Sequence, residues 1–249
     1  MNVGERLWKQ FNKALGKYQL IDEGDKILVG LSGGKDSLLL LELLARRQHI
    51  HVPRFSVEAI HVRMENIHYE SDTSYLQLFC DRLGIPLHIV TTRFDAHPAT
   101  SADAPSSIDS THYKKKPPCF LCSWQRRKQL FNVAQATGCQ KIALGHHQDD
   151  IIHTALMNIT FQGHFSTMPA KLRLQKMPLT IIRPLCLCRE DDIRQHAVSQ
   201  QYVQQLKSCP YEHDTQRTTA RNIFCQMERL NPEARYSIWN ALEAEGKIG

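Results

Sequence analysis

A chain of 249 residues, 42% hydrophobic and 22% charged, can bury a substantial core, and one α/β domain with an appendage is the natural expectation. No apolar run approaches the length needed to span a bilayer, and Met1 to Lys17 reads as amphipathic rather than as a secretion signal, so the expectation is a cytoplasmic protein with no membrane association. A net charge of +6 fits a polyanionic partner, and eight cysteines without a secretion signal point to metal, cluster or redox chemistry, or to small buried residues, rather than to disulfides.

In chain order, residues 5–20 read as a helix with Leu7, Trp8, Phe11, Leu15 and Tyr18 on one stripe. Lys26 to Gly30 is a short β-prone run, and Leu38 to Arg47 is a leucine-rich helix. Between them lies the turn Leu31-Ser32-Gly33-Gly34-Lys35-Asp36-Ser37. A glycine-rich turn that opens a helix suits an anion, because free N–H groups and the helix dipole both favour negative charge there. It is not a Walker A loop, since Asp36 follows the lysine where a hydroxyl residue is needed.

Ser56 to Met64 reads as a second strand, 71–83 as a helix ended by Gly84, and Leu87 to Thr92 as a third strand. Alternating strands and helices imply right-handed crossovers and a parallel sheet, with ligands at the carboxyl ends of the strands. Phe94 to Pro118 reads as a long loop ending in Lys114, Lys115 and Lys116. Cys119-Phe120-Leu121-Cys122 follows, then a helix from Ser123 to Thr137 with Trp124, Leu130, Phe131 and Ala134 as its apolar stripe and Arg126, Arg127 and Lys128 adding charge. Lys141 to Leu144 is a fourth strand, Gly145-His146-His147-Gln148-Asp149-Asp150 its carboxyl end, and Ile151 to Thr160 a helix.

Gly163 to Lys176 reads as a second loop, Leu179 to Leu185 as a fifth strand and 189–200 as a helix. The predicted fold is therefore a parallel five-stranded sheet with helices on both faces over residues 1–200. A helical C-terminal extension occupies 201–249, with helices near 215–228 and 232–243, and carries Cys209. Cys80, Cys139, Cys186, Cys188 and Cys225 are best read as buried core thiols, although Cys186 and Cys188 could form a second soft-ligand pair.

Ser32-Gly33-Gly34-Lys35-Asp36-Ser37 resembles the PP-loop of ATP pyrophosphatases, which split ATP into AMP and pyrophosphate. Cys119-x-x-Cys122 with Arg126-Arg127, the Gly145 to Asp150 segment, Met168 to Leu172, Ile182-Arg183-Pro184-Leu185 and Cys209 with Gln216-Arg217 follow in order. Together they resemble the TtcA family of tRNA 2-thiocytidine synthetases over about Asp25 to Arg217, departing from its pattern at Arg63 to Asn66.

The resemblance implies an ATP- and Mg²⁺-dependent sulfurtransferase that adenylates the C2 oxygen of an anticodon-loop cytidine, at position 32, and replaces it by sulfur. It implies a 4Fe–4S cluster on Cys119, Cys122 and Cys209, sulfur supplied through a cysteine desulfurase, and a homodimer. On that reading Ser32 to Ser37, Gly145 and His146 bind ATP, Lys35 and Asp36 are catalytic, and Asp36 helps hold Mg²⁺, with Asp149 and Asp150 as further metal candidates. Lys114, Lys115, Lys116, Arg126 and Arg127 are candidate tRNA contacts. The rival readings are another PP-loop ATPase acting on a different tRNA base or a small sulfur substrate, and a zinc-stabilised RNA-binding protein.

Overall fold

The computed structural model describes residues 2–65, 73–94, 118–204 and 215–249. The order is α1 (Val3–Lys17), β1 (Asp25–Gly30), α2 (Lys35–Gln48), β2 (Phe55–Met64), α3 (Thr73–Leu83), β3 (Leu87–Thr92), α4 (Pro118–Thr137), β4 (Lys141–Ala143), α5 (Gln148–Met157), β5 (Lys171–Arg173), β6 (Thr180–Ile182), α6 (Glu190–Ser199), α7 (Thr215–Leu230) and α8 (Ala234–Ala244). One sheet runs β3-β2-β1-β4-β6-β5, parallel except for the antiparallel β5–β6 pair.

The α/β class and the central parallel sheet are as expected, with six strands among the described residues rather than five. The added strand, β5, lies inside the stretch read as a loop. It is three residues long and pairs in register with the ends of β6, Lys171 opposite Ile182 and Arg173 opposite Thr180. So short an edge strand carries no periodicity for sequence reading to detect.

β1 shows why the chain folds this way. Ile27, Leu28 and Val29 are all buried, the continuous apolar pattern of a strand covered on both faces. Ile27 and Val29 pack with α1, α2, α3, α5 and α6 through Leu7, Phe11, Leu39, Leu76, Ile151 and Ile193. Leu28 faces the other way, toward Ile60, Ile142 and Ala134 under α4. Helices thus cover both faces. The fully buried leucines of α2 each contribute about 1.5–3 kcal/mol of burial free energy.

β1 is central, with β2 on one side and β4 on the other. The chain winds in opposite directions from that point, so the crevice at the carboxyl ends of β1 and β4 is the expected ligand position.

Two further elements differ from expectation. α4 starts at Pro118, five residues before Ser123, so the cysteine pair lies in its first turn rather than before it. Proline suits that position because its missing N–H would be unpaired there in any case. Trp124 does not belong to the inward stripe: it is 49% exposed, while Leu130, Val133 and Ala134 face the sheet. α7 and α8 pack on α5. No helix among the described residues is long and apolar enough to cross a membrane.

Candidate active site

The glycine turn connects β1 to α2 at the carboxyl edge of the sheet. Gly33 has φ +82°, in the left-handed region that only glycine enters without cost. Gly34 is the N-cap of α2 in extended conformation and supplies no side chain, so no cap side chain competes with a ligand for the first-turn N–H groups. Ser37 closes the turn by donating its hydroxyl to the Gly34 carbonyl at 2.9 Å, and Ser32 Oγ lies 3.2 Å from Ser37 Oγ. Behind the turn, the buried His61 of β2 hydrogen-bonds the Leu31 carbonyl through Nδ1 at 2.8 Å.

Lys35 is held between two carboxylates, with Nζ 3.1 Å from Asp36 Oδ1 and 3.3 Å from Glu190 Oε1 at the start of α6. Asp36 Oδ1 is buried; among the described residues it accepts no hydrogen bond of good geometry, and its near partners are Lys35 Nζ at 3.1 Å and His147 Nε2 at 3.9 Å. A buried carboxylate oxygen whose near partner is a lysine ammonium, beside an anion-binding turn, fits a hard divalent cation such as Mg²⁺.

β4 supplies the opposite wall. A Cβ built on Gly145 would come within 3.1 Å of the Asp36 backbone carbon and oxygen and 3.2 Å of Ser37 N, so the two strand ends touch backbone to backbone. His146 accepts a hydrogen bond at Nδ1 from Arg183 Nε at 3.3 Å, and Arg183 also donates to the Pro169 carbonyl at 2.5 Å. Burial, reinforced by Arg183, pushes the His146 pKa down to about 4. His147 caps α5 reciprocally with Asp150: its N–H donates to Asp150 Oδ2 at 3.1 Å, and its Nδ1 accepts from Asp150 N at 3.4 Å.

Asp149 has both oxygens engaged. Arg235 Nη2 donates to Oδ1 at 2.7 Å and the Glu190 N–H to Oδ2 at 2.8 Å. It anchors α6 and α8 through these two donors. The α7 side chains Arg217 and Arg221 lie 3.9 Å from Asp150 and Glu190, respectively.

Sequence reasoning missed Glu190, Arg183 and Arg235. Arg183 gave a usable signal, being a charged residue directly after an apolar strand run. Glu190 and Arg235 gave none, because their roles depend on tertiary neighbours alone.

The cysteine pair stands at the same edge of the sheet. Cys119 is exposed; Cys122 is half-buried and packs with Leu121 against Met64 and Phe94, at the ends of β2 and β3. Three residues apart on a helix, the two thiols lie on one side of α4. Arg126 is half-buried, and Arg127 is exposed and donates to Ser123 Oγ at 3.3 Å. Cys209, Lys114, Lys115 and Lys116 lie outside the described residues.

Among the described residues no group of three or more metal-ligating side chains forms. Two adjacent thiols are a fitting donor set for an iron–sulfur cluster, but they require a third ligand from elsewhere. Cys80, Cys139, Cys186 and Cys188 are buried as expected, and burial pushes Cys80 and Cys186 up to about 12. Cys186 and Cys188 sit in turns after β6, not in a strand. Cys225 is exposed, contrary to expectation, because it falls on the outer side of α7 while Phe224 turns inward.

A PP-loop domain family matches residues 4–227. A tRNA-cytidine(32) 2-sulfurtransferase of Pseudomonas syringae pv. tomato is 33% identical over 96% of this chain and 83% of its own length. One from Shewanella denitrificans is 32% identical over 97% and 71%, respectively. Among solved structures, the U34-tRNA thiolase NcsA from Methanococcus maripaludis, with its 4Fe–4S cluster, superimposes with a TM-score of 0.73 at 26% identity, covering 96% of this chain and 77% of that one. The NH3-dependent NAD synthetase of Campylobacter jejuni shares the fold alone, with a TM-score of 0.50 at 13% identity over 100% and 98% of the two chains.

Proposed function

The chain belongs to the PP-loop family together with the tRNA-cytidine(32) 2-sulfurtransferases, and from that membership we propose that it is an ATP-dependent tRNA sulfurtransferase whose acceptor is the C2 position of cytidine 32. The observation that carries the reading is a juxtaposition: an anion-binding turn bearing the Lys35–Asp36 pair and a cysteine pair share one edge of the sheet.

The chemistry requires activation because the C2 oxygen of cytosine is a poor leaving group. That oxygen attacks the α-phosphorus of ATP; a C–O–P linkage forms and the bond to pyrophosphate breaks. Positive charge on the base is spread over N3 and the exocyclic amine. Sulfur at the sulfide level then adds to C2, AMP departs with the electron pair of the C–O bond, and the proton on sulfur is lost.

The turn around Ser32, Gly33, Gly34 and Ser37 holds the phosphates, Lys35 neutralises charge on them, and Gly145 and His146 border the nucleotide. Asp36 would hold Mg²⁺, which supplies charge neutralisation at the departing pyrophosphate. Cys119 and Cys122, with Cys209 brought by the C-terminal extension 201–249, would hold the 4Fe–4S cluster, which supplies an iron site open to exchangeable sulfur. Arg126, Arg127 and Lys114 to Lys116 contact the tRNA backbone. A cysteine desulfurase provides the sulfur as a persulfide, a thiol reductant releases its outer sulfur at the sulfide level and is itself oxidised to a disulfide, and the working form is a cytoplasmic homodimer.

The test is anaerobic. Purified protein should hold about four irons and four sulfides per chain. With ATP, Mg²⁺, a desulfurase, cysteine, a dithiol reductant and unmodified tRNA it should form 2-thiocytidine, detected by mass spectrometry of the digested nucleosides. Zinc in place of iron, or ATP consumption without thiolated nucleoside, overturns the reading.

A further inference from the structure

Two arginines in this molecule are buried to the same extent, each 6% exposed, and their surroundings differ in kind. Arg235 faces Asp149 and Glu228, at 2.7 Å and 3.0 Å, and these carboxylates outweigh the cost of burial and hold its pKa up. Among the described residues Arg183 has only neutral acceptors, His146 Nδ1 and the Pro169 carbonyl. No carboxylate of the described residues lies within ion-pair distance of it, and burial brings its pKa down to about 10. Its Nη2 hydrogen-bonds to none of the described residues.

A desolvated guanidinium without a counter-ion is costly. The cost is explained when a ligand supplies the anion, and the position suits one. Arg183 follows the last residue of β6, and Leu144 N donates to the Ile182 carbonyl at 3.0 Å, so Arg183 and the Gly145-His146 pair leave the sheet side by side. Gly145 in turn touches the backbone of Asp36.

The contact also fixes the imidazole. A guanidinium cannot accept a proton, so Nδ1 of His146 must present its lone pair to Arg183 Nε, and the ring proton of the neutral form sits on Nε2. The charged and titratable groups around His146 are Arg183 from the end of β6, Asp150 from α5, Arg217 from α7 and His147 beside it in the chain. Two cations oppose one carboxylate, and burial adds to their effect, so the ring is neutral at physiological pH.

We infer that Arg183 and His146 form one phosphoryl-binding unit, in which Arg183 fixes His146 as an Nε2–H donor and offers its own Nη2 to the same nucleotide phosphate. This rests on the proposal that the chain adenylates its substrate. The PP-loop retains the β- and γ-phosphates, and the α-phosphate lies next to them on the β4 side. There the pair meets negative charge that grows on the non-bridging oxygens during attack. Preorganised donors at that place act on the transition state more than on ground-state binding.

The test combines a spectrum with kinetics. ¹⁵N-histidine NMR, with His146→Gln identifying the signal among the 13 histidines, should show an unprotonated Nδ1 and a protonated Nε2 that does not titrate between about pH 5 and 8. Arg183→Gln should lose that tautomer preference. It should also lower kcat for tRNA-dependent pyrophosphate release on the order of 10²–10³-fold, with KM for ATP little changed. Arg183→Lys keeps the cation and a donor and should recover part of the loss. His146→Gln, which places an N–H near Nε2, should retain far more activity than His146→Ala. Wild-type protein that binds no ATP would sink the functional reading itself. Wild-type protein that releases pyrophosphate while Arg183→Gln keeps full kcat, or a wild-type His146 protonated at Nδ1, overturns this inference alone.

Discussion

Arg235 of α8 and Asp149 of α5 form a buried ion pair, Nη2 to Oδ1 at 2.7 Å, which ties the C-terminal helix to the floor of the nucleotide site. The other oxygen of Asp149 receives the Glu190 N–H, and the Glu190 side chain reaches Lys35. Removing one member of a buried pair leaves the other charge uncompensated. Arg235→Leu should therefore cost about 3–5 kcal/mol, measured from urea unfolding midpoints at constant slope. Asp149→Leu in the same background should cost less than the sum of the two single changes, since the pair is already broken. Full additivity would mean that the two side chains do not depend on each other.

Gly145 makes the next prediction steric. The atoms a Cβ would meet are backbone atoms of Asp36 and Ser37, at 3.1–3.2 Å, and these cannot rotate away. Gly145→Ala should push the phosphate-binding turn aside and lower kcat/KM for ATP on the order of tenfold to a hundredfold, with the fold intact by circular dichroism. Gly16→Ala is the control. Nothing lies within 4 Å of its built Cβ, and it sits near the end of α1, so it should gain about 0.5–1 kcal/mol of stability and leave ATP kinetics unchanged.

Acid sensitivity follows from three histidines, His61 and His153 buried and His146 half-buried. Burial lowers the pKa of His61, His146 and His153, that of His146 to about 4. A group depressed in the folded state stabilises fully above its unfolded pKa, about 6.5, and loses that stabilisation as pH falls toward the folded value. Unfolding midpoints in urea should thus fall steadily below about pH 6.5, before the carboxylates titrate. A second decline should come below about pH 4, where Asp149, held low by Arg235 against the opposing effect of burial, takes up its proton. His153→Gln should flatten the first decline without touching the second. A stability curve level from pH 7 to 5 would mean that these rings are protonated in the fold.

Much of this arrangement was legible in the sequence because its signals are local. The apolar β1, the glycine turn and the leucines of α2 are adjacent, and α2 is amphipathic only in the sense that its few polar residues mark one side. Signals were lost where long-range contacts decide. β5 becomes a strand only because β6 offers it an edge. Trp124 was expected inside because it falls among apolar residues, yet the inward side of α4 is set by where β2 and β4 lie. Asp149 reads in the sequence as a candidate metal ligand, and nothing there points to Arg235, its ion-pair partner 86 residues away. The two buried arginines differ only in which carboxylates the fold brings near, and no pattern in the chain distinguishes them.

The cysteines give a last prediction, and one that needs no activity. Thiolate reactivity follows exposure and pKa. Cys119 and Cys225 are exposed, whereas Cys80 and Cys186 are pushed up to about 12 by burial, Cys139 is raised, and Cys188 is fully buried and raised further. Brief iodoacetamide treatment of native, cluster-free protein at pH 8, read by peptide mass spectrometry, should label Cys119 and Cys225 first and leave those four untouched until denaturant is added. Reconstitution with iron and sulfide should then protect Cys119 and Cys122 together, because both thiols would be ligands, while Cys225 on the outer side of α7 keeps reacting. Protection of Cys119 without Cys122 would break the shared-ligand assignment. Protection of Cys225 as well would show that reconstitution covers a surface instead of filling a site.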